Sequence, residues 1–222
     1  MTNKEPTVST DKAAEGARLL EAMLAKRGYL LSYHRLLGAS SPPMLKAYDE
    51  LYTSMTLDQR DLTLAEREIV WIALIAATRE HYAKFHLDRG RQAGLDEDAM
   101  ADSAALAAAC EAFDATNFAC TQFGEWIPPQ KAMQRYLRTF DAAKGKLPEH
   151  IAEVAAVVCH ASRRNAAGMR VHLKRAFEKG ATREQMAEGL SYVLLHRGGP
   201  IMIDAAGTWE KAAPELGIPG PY

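Results

Sequence analysis

From Glu68 to Gly94 the chain reads E-I-V-W-I-A-L-I-A-A-T-R-E-H-Y-A-K-F-H-L-D-R-G-R-Q-A-G. Arg79, Glu80, His81 and His86 set a guanidinium, a carboxylate and two imidazoles close together behind an apolar segment headed by Glu68. A guanidinium suits bidentate capture of a carboxylate. An imidazole titrates near neutrality and can move a proton at carbon or oxygen. Glu68 adjoins so apolar a stretch that burying it is costly unless it is paired or used. The alternative for Glu68 is a helix-start carboxylate favoured by the macrodipole. His81 and His86 are five residues apart, which on one continuous helix is about 140°. They would not share a face. Metal ligation by Glu68, His81 and His86 is chemically open, but that spacing suits two ligands from one helix poorly, so no metal is expected.

The histidine segment occurs twice. H-L-D-R-G-R-Q-A-G-L-D-E-D-A-M-A from His86 and H-L-K-R-A-F-E-K-G-A-T-R-E-Q-M-A from His172 share six of sixteen positions at an offset of 86, where chance gives about one. Upstream, at an offset of 85, Glu68 matches Glu153, each ahead of an apolar run. A repeat of this length implies two copies of one structural unit. The shared histidine reads either as a helix-to-helix structural contact or as a catalytic group. His81 is present only in the first copy, the second having Ala167; it reads as functional or as an exposed helix residue. In the second copy Glu153 and His160, seven apart, fall on one helix face. There, too, His196 and Arg197 precede Gly198-Gly199-Pro200, a break that the first copy lacks around Cys110.

Nearly every segment after residue 10 has helical periodicity, and no alternating strand pattern appears. The spacing predicts a helix from about Asp11 to Arg27, stopped by Gly28, and another opened by Ser41-Pro42-Pro43 that carries Tyr48, Leu51 and Tyr52. Thr63-x-x-Glu66 is a capping box that starts the apolar helix. Gly94 and Gly180 stand where helices should end. Trp126-Ile127-Pro128-Pro129 is the best junction between copies, giving an N-terminal unit of residues 11–125 and a C-terminal unit of 126–222, with residues 1–10 disordered by composition.

The composition, 48% hydrophobic and 25% charged, is that of a globular protein, and a net charge of −1 gives no reason to expect nucleic acid or an anionic membrane. Three cysteines, Cys110, Cys120 and Cys159, without a C-x-x-C argue against a disulfide framework and for a reduced, cytoplasmic setting. The N-terminus lacks a signal-peptide core, and the longest apolar run, Ile69 to Ala77, is too short for a membrane span.

The glutamate-headed apolar helix followed by R-E-H-x-x-x-x-H-L and a helix ending in A-G resembles the carboxymuconolactone decarboxylase family, which shares its fold with the alkylhydroperoxidase D-like proteins. Gly28-Tyr29 leading to Tyr33, Leu36 and Pro42 is similar to the N-terminal part of that superfamily. The resemblance implies an all-α fold of two tandem helical repeats packed pseudo-symmetrically. In the peroxidase branch a redox C-x-x-C stands where this chain has Arg79 and Tyr82, and again Asn165 and Gly168. Without those thiols, dithiol peroxide reduction lacks its groups.

What the resemblance implies is a decarboxylase of a small carboxylated lactone from aromatic-compound catabolism. The lactone is its own electron sink, so no cofactor is required. Glu68, His81 and His86 are the expected catalytic residues, and Arg79, Glu80, His196 and Arg197 the substrate-binding ones. Because one copy keeps R-E-H and the other keeps G-G-P, a composite site is an expectation alongside a single working pocket. The remaining readings are a binding or scaffold protein that retains only the fold, and a peroxide-detoxifying protein. Single-copy members form hexamers, so a tandem chain is expected as a homotrimer.

Overall fold

The computed structural model describes residues 10–222. The segment read as disordered lies outside the described residues, save Thr10, which opens the first helix. Among the described residues there are eleven α-helices, one 3-10 turn and no strand. The expected all-α class is what is observed. The chain divides into two compact units, Met1–Asp58 and Gln59–Tyr222.

The first unit contains α1 (Thr10–Arg27), α2 (Ser32–Ser40) and α3 (Pro42–Thr56). Gly16 of α1 meets Gly38 of α2 so closely that a Cβ at Gly16 would strike the Gly38 carbonyl. Arg27, at the C-terminus of α1, pairs with Asp49 and lies 3.9 Å above the Tyr52 ring. His34 is fully buried, and burial together with the nearby Arg27 charge lowers its pKa to about 4.

The second unit is built on two sequence-equivalent helices, α4 (Leu64–Thr78) and α8 (Glu149–Ser162), which pack against each other. Nearly all of α4 from Arg67 to Ala77, and all of α8 from Ile151 onward, is buried. Helices apolar all round belong in the middle of a bundle. Around them lie α5 (Phe85–Gln92), α6 (Glu97–Gln122) and α7 (Pro129–Ala143), then α9 (Ala166–Glu178), α10 (Arg183–Arg197) and α11 (Gly199–Leu216). The Thr63/Glu66 capping box is formed as expected, and a second, Thr182/Gln185, starts α10. Gly94 and Gly180 follow α5 and α9 with φ of 92° and 94°, left-handed values that L side chains disfavour. The first copy continues as unbroken α6, whereas the second is split by Gly198, with φ of 83°, into α10 and α11.

Each copy ties down the start of the other copy's central helix by the same device. Glu188 of α10 accepts backbone hydrogen bonds from Asp61 and Leu62, at 2.6 and 2.9 Å, just ahead of α4. It also accepts the Tyr192 hydroxyl at 2.7 Å and lies 3.7 Å from Arg60. Its counterpart at the repeat offset, Asp102 of α6, accepts from the Lys146 backbone at 3.3 Å ahead of α8. The preceding Gly145 is at φ 49°, and a Cβ there would collide with the Asp102 carboxylate. Glu188→Ala removes the acceptor for two N–H groups and a buried hydroxyl. The loss should be about 3–5 kcal/mol, lowering the thermal midpoint by roughly 6–20 °C at the 2–4 °C per kcal/mol expected of a chain this size; a calorimetric scan checks it.

Candidate functional site

Glu68 is fully buried in the second turn of α4. It is therefore not a helix-start carboxylate, and the macrodipole does not explain it. Both its oxygens are used: Oε2 lies 2.7 Å from His86 Nδ1, and Oε1 accepts from Arg67 Nε at 3.1 Å. The carboxylate fixes the His86 tautomer with its proton on Nδ1, leaving Nε2 as the atom for proton exchange. The His86 ring stacks on Trp71 at 4.4 Å, and Trp71 also stacks on Tyr192 at 4.7 Å. His196 meets the edge of Trp71 at 5.6 Å. The result is one cluster with two parents, Glu68, Trp71 and His86 coming from the first copy and Tyr192 and His196 from the second.

Burial lowers the pKa of His86, against the opposing pull of Glu68. His196 falls to about 4, through burial first and then the nearby His86, with Glu80 opposing. Its Nε2 is buried without a hydrogen-bond partner. At neutral pH the site therefore presents two neutral imidazoles against an aromatic wall, one of them oriented by a carboxylate.

The R-E-H residues lie elsewhere than a continuous helix would put them. α4 ends at Thr78, Arg79 takes the left-handed conformation at φ 55°, and His81 lies in the 3-10 turn His81–Ala83 before α5 begins. The 140° relation of His81 to His86 does not hold, because the two are on different elements. Arg79 is exposed and paired with Glu111 at 2.7 Å. Glu80 caps the turn by accepting from the Tyr82 backbone at 2.8 Å. His81 is exposed and packs on the Tyr82 ring at 4.0 Å. Arg197 is exposed and donates through Nε to the Ser162 carbonyl at 3.1 Å. Of the expected set, Glu68, His86 and His196 converge with Glu80 nearby, while Arg79, His81 and Arg197 lie at the surface.

The second copy repeats the carboxylate–imidazole pair in other surroundings. Glu153 Oε2 lies 2.6 Å from His172 Nδ1, and Oε1 accepts from Arg175 Nε at 2.7 Å. Ala156 stands at the counterpart of Trp71, so His172 packs instead on Phe140 at 4.5 Å and His160 at 5.3 Å. Tyr136 Oη contacts His172 Nε2 at 2.6 Å and His160 Nε2 at 3.3 Å. Gly168 gives His160 its room, since a Cβ there would overlap the imidazole. Trp71, Tyr136, Tyr192 and Cys110 escape a reading by motif. The signal available for Cys110 is the offset of 86, which sets it opposite His196. A separate cleft of about 460 Å³, lined in part by Arg164, Met169, Asp204, Thr208 and Lys211, includes none of Glu68, His86 or His196. The convergent polar groups, rather than that cleft, mark the candidate site.

Residues 42–124 and 130–211 each match the sequence model of the carboxymuconolactone decarboxylase family. No curated protein matches the chain.

Between pH 4 and about 6.5 the unfolded chain binds a proton at His196 that the folded chain refuses, so stability rises with pH across that window and falls on acidification. His86 adds a slope of the same sign. His196→Gln should flatten the profile by up to about 1.4 kcal/mol per pH unit, measured as urea midpoints from pH 4.5 to 7.

Proposed function

The chain belongs to the carboxymuconolactone decarboxylase family, and from that premise we propose that it is a cofactor-independent carboxy-lyase acting on a small carboxylated lactone at the Glu68–His86–His196 cluster. The observation that carries the reading is a carboxylate-oriented imidazole and a second imidazole, with a buried Nε2 lacking a hydrogen-bond partner, both in contact with Trp71. Loss of CO2 breaks one C–C bond, and its electron pair passes through the conjugated lactone to the carbonyl oxygen. His196, neutral at pH 7, donates an N–H to that oxygen as charge develops. An anionic substrate beside His86 favours its protonated form, whose Nδ1–H remains on Glu68. His86 Nε2 then delivers the proton to carbon, and water restores it. At the surface, Arg79 and Arg197 attract the anionic substrate, and Glu80 and His81 border its approach.

A homotrimer is part of this proposal. An exposed apolar group around the α6–α7 connection, Phe118, Phe123, Trp126 and Ile127, supports self-association. The recurrence of the buried pair at Glu153–His172 favours a second reading, in which the pair holds helices together and the chain binds a ligand without turning it over.

A spectroscopic assay with carboxymuconolactone and a panel of related lactones tests the first reading. His86→Asn and Glu68→Gln should each lower kcat by about 10²–10⁴, with His196→Ala also deeply impaired and His81→Ala much less so. Binding by calorimetry without CO2 release would favour the second reading. Full activity in both His86→Asn and His196→Ala would rule out the assignment.

A further inference from the structure

Outside the lyase cluster, Cys110, His160 and His172 bring one thiol and two imidazoles together, with their donor atoms all within 4.8 Å of one another. We propose that these three side chains, with the Tyr136 hydroxyl as fourth donor, bind a divalent transition-metal ion of the Zn²⁺ class as a closed, structural site.

The donor set is two nitrogens, one sulfur and one oxygen, which suits a borderline ion in tetrahedral coordination. The donors come from four helices: Cys110 from α6, Tyr136 from α7, His160 from α8 and His172 from α9. All four are buried, and the three Cys and His residues have no exposed surface. A structural ion requires such a closed site, whereas a catalytic one would keep an open position.

The outer contacts are those of a ligating histidine. His172 Nδ1 is held by Glu153 at 2.6 Å, which turns the lone pair of Nε2 toward the cluster. Glu153 is in turn held by Arg175, and Arg175 by Asp141 at 2.7 Å. As a hydrogen-bonding group alone, His160 is poorly served: its Nδ1 has no partner, and the ring otherwise has a 3.3 Å contact with Tyr136 and a contact with the Cys110 thiol. A metal bond would fix that ring where a long hydrogen bond does not. Coordination to a cation would make the thiolate the stable form of Cys110. The cluster is not a by-product of the repeat. The first copy has Ile75 at the counterpart of His160, and only the glutamate–histidine pair is common to both.

The test uses the full chain, unfolded with chelator and reductant and refolded with Co²⁺. The expected result is one ion per chain retained through gel filtration, with thiolate-to-Co²⁺ absorption in the near ultraviolet and intense visible bands of four-coordinate Co²⁺. Zn²⁺ should bleach both and raise the melting temperature. Cys110→Ser should lose the near-ultraviolet band, while Cys120→Ser keeps it. Glu153→Gln, which leaves the ligands in place, should weaken binding about 10–100-fold. Wild-type chain that refolds yet retains no Co²⁺, or retains it with no thiolate band, overturns the proposal, and neither outcome depends on a variant folding. An unchanged spectrum in folded Cys110→Ser overturns it equally.

Discussion

A carboxylate cannot be left unpaired inside an apolar helix bundle, and this fold buries two of them at its centre. Glu68 and Glu153 each meet an imidazole on Nδ1 and a guanidinium on the other oxygen. Satisfying the carboxylates determines where α5 and α9 lie, because His86 and His172 must come within 2.7 Å of their partners. It also determines the histidine tautomers, since a carboxylate on Nδ1 leaves Nε2 to face inward. The chemistry available at either site thus follows from a requirement of folding.

The shared pair does not by itself decide what each site does. What faces the free side of the imidazole does. Beside His86 the counterpart positions supply Trp71 and His196, an aromatic wall and a second neutral base. Beside His172 they supply Ala156 and Cys110, and the vacated volume takes His160 and Phe140. Gly168 is as much a part of that arrangement as the histidine, because any side chain there would displace the ring.

Much of this was legible in the residues. The two-copy all-α architecture follows from the repeat around His86 and His172, and the helix limits follow from Thr63, Glu66, Gly94 and Gly180, whose roles are local and chemical. The pairing of Glu68 with His86 was half visible, as a constant spacing that needed a reason. The R-E-H segment was misplaced, because periodicity carries a helix through Thr78 and gives no sign that Arg79 adopts a left-handed conformation. A glycine there would have announced the turn; an arginine conceals it. Contacts between copies were least legible. Trp71 looks like one more apolar residue of α4 until Tyr192 and His196 are seen on it, and Tyr136 is one tyrosine among several until two imidazoles share its hydroxyl.

Tandem duplication here has a geometric consequence beyond doubling. The cluster at His86 takes its outer wall from α10 of the second copy, and the cluster at His172 takes Cys110 from α6 of the first. Glu188 and Asp102 make the same exchange at the backbone, each holding the entry to the other copy's central helix. Neither copy alone completes either cluster, in keeping with the compact body formed by Gln59–Tyr222. Joined in one chain, the reciprocal walls are free to differ, as they are not in two identical single-copy subunits. His196 opposite Cys110 is that freedom in use: one wall keeps a half-buried base beside the buried His86, and the other encloses a thiol among imidazoles.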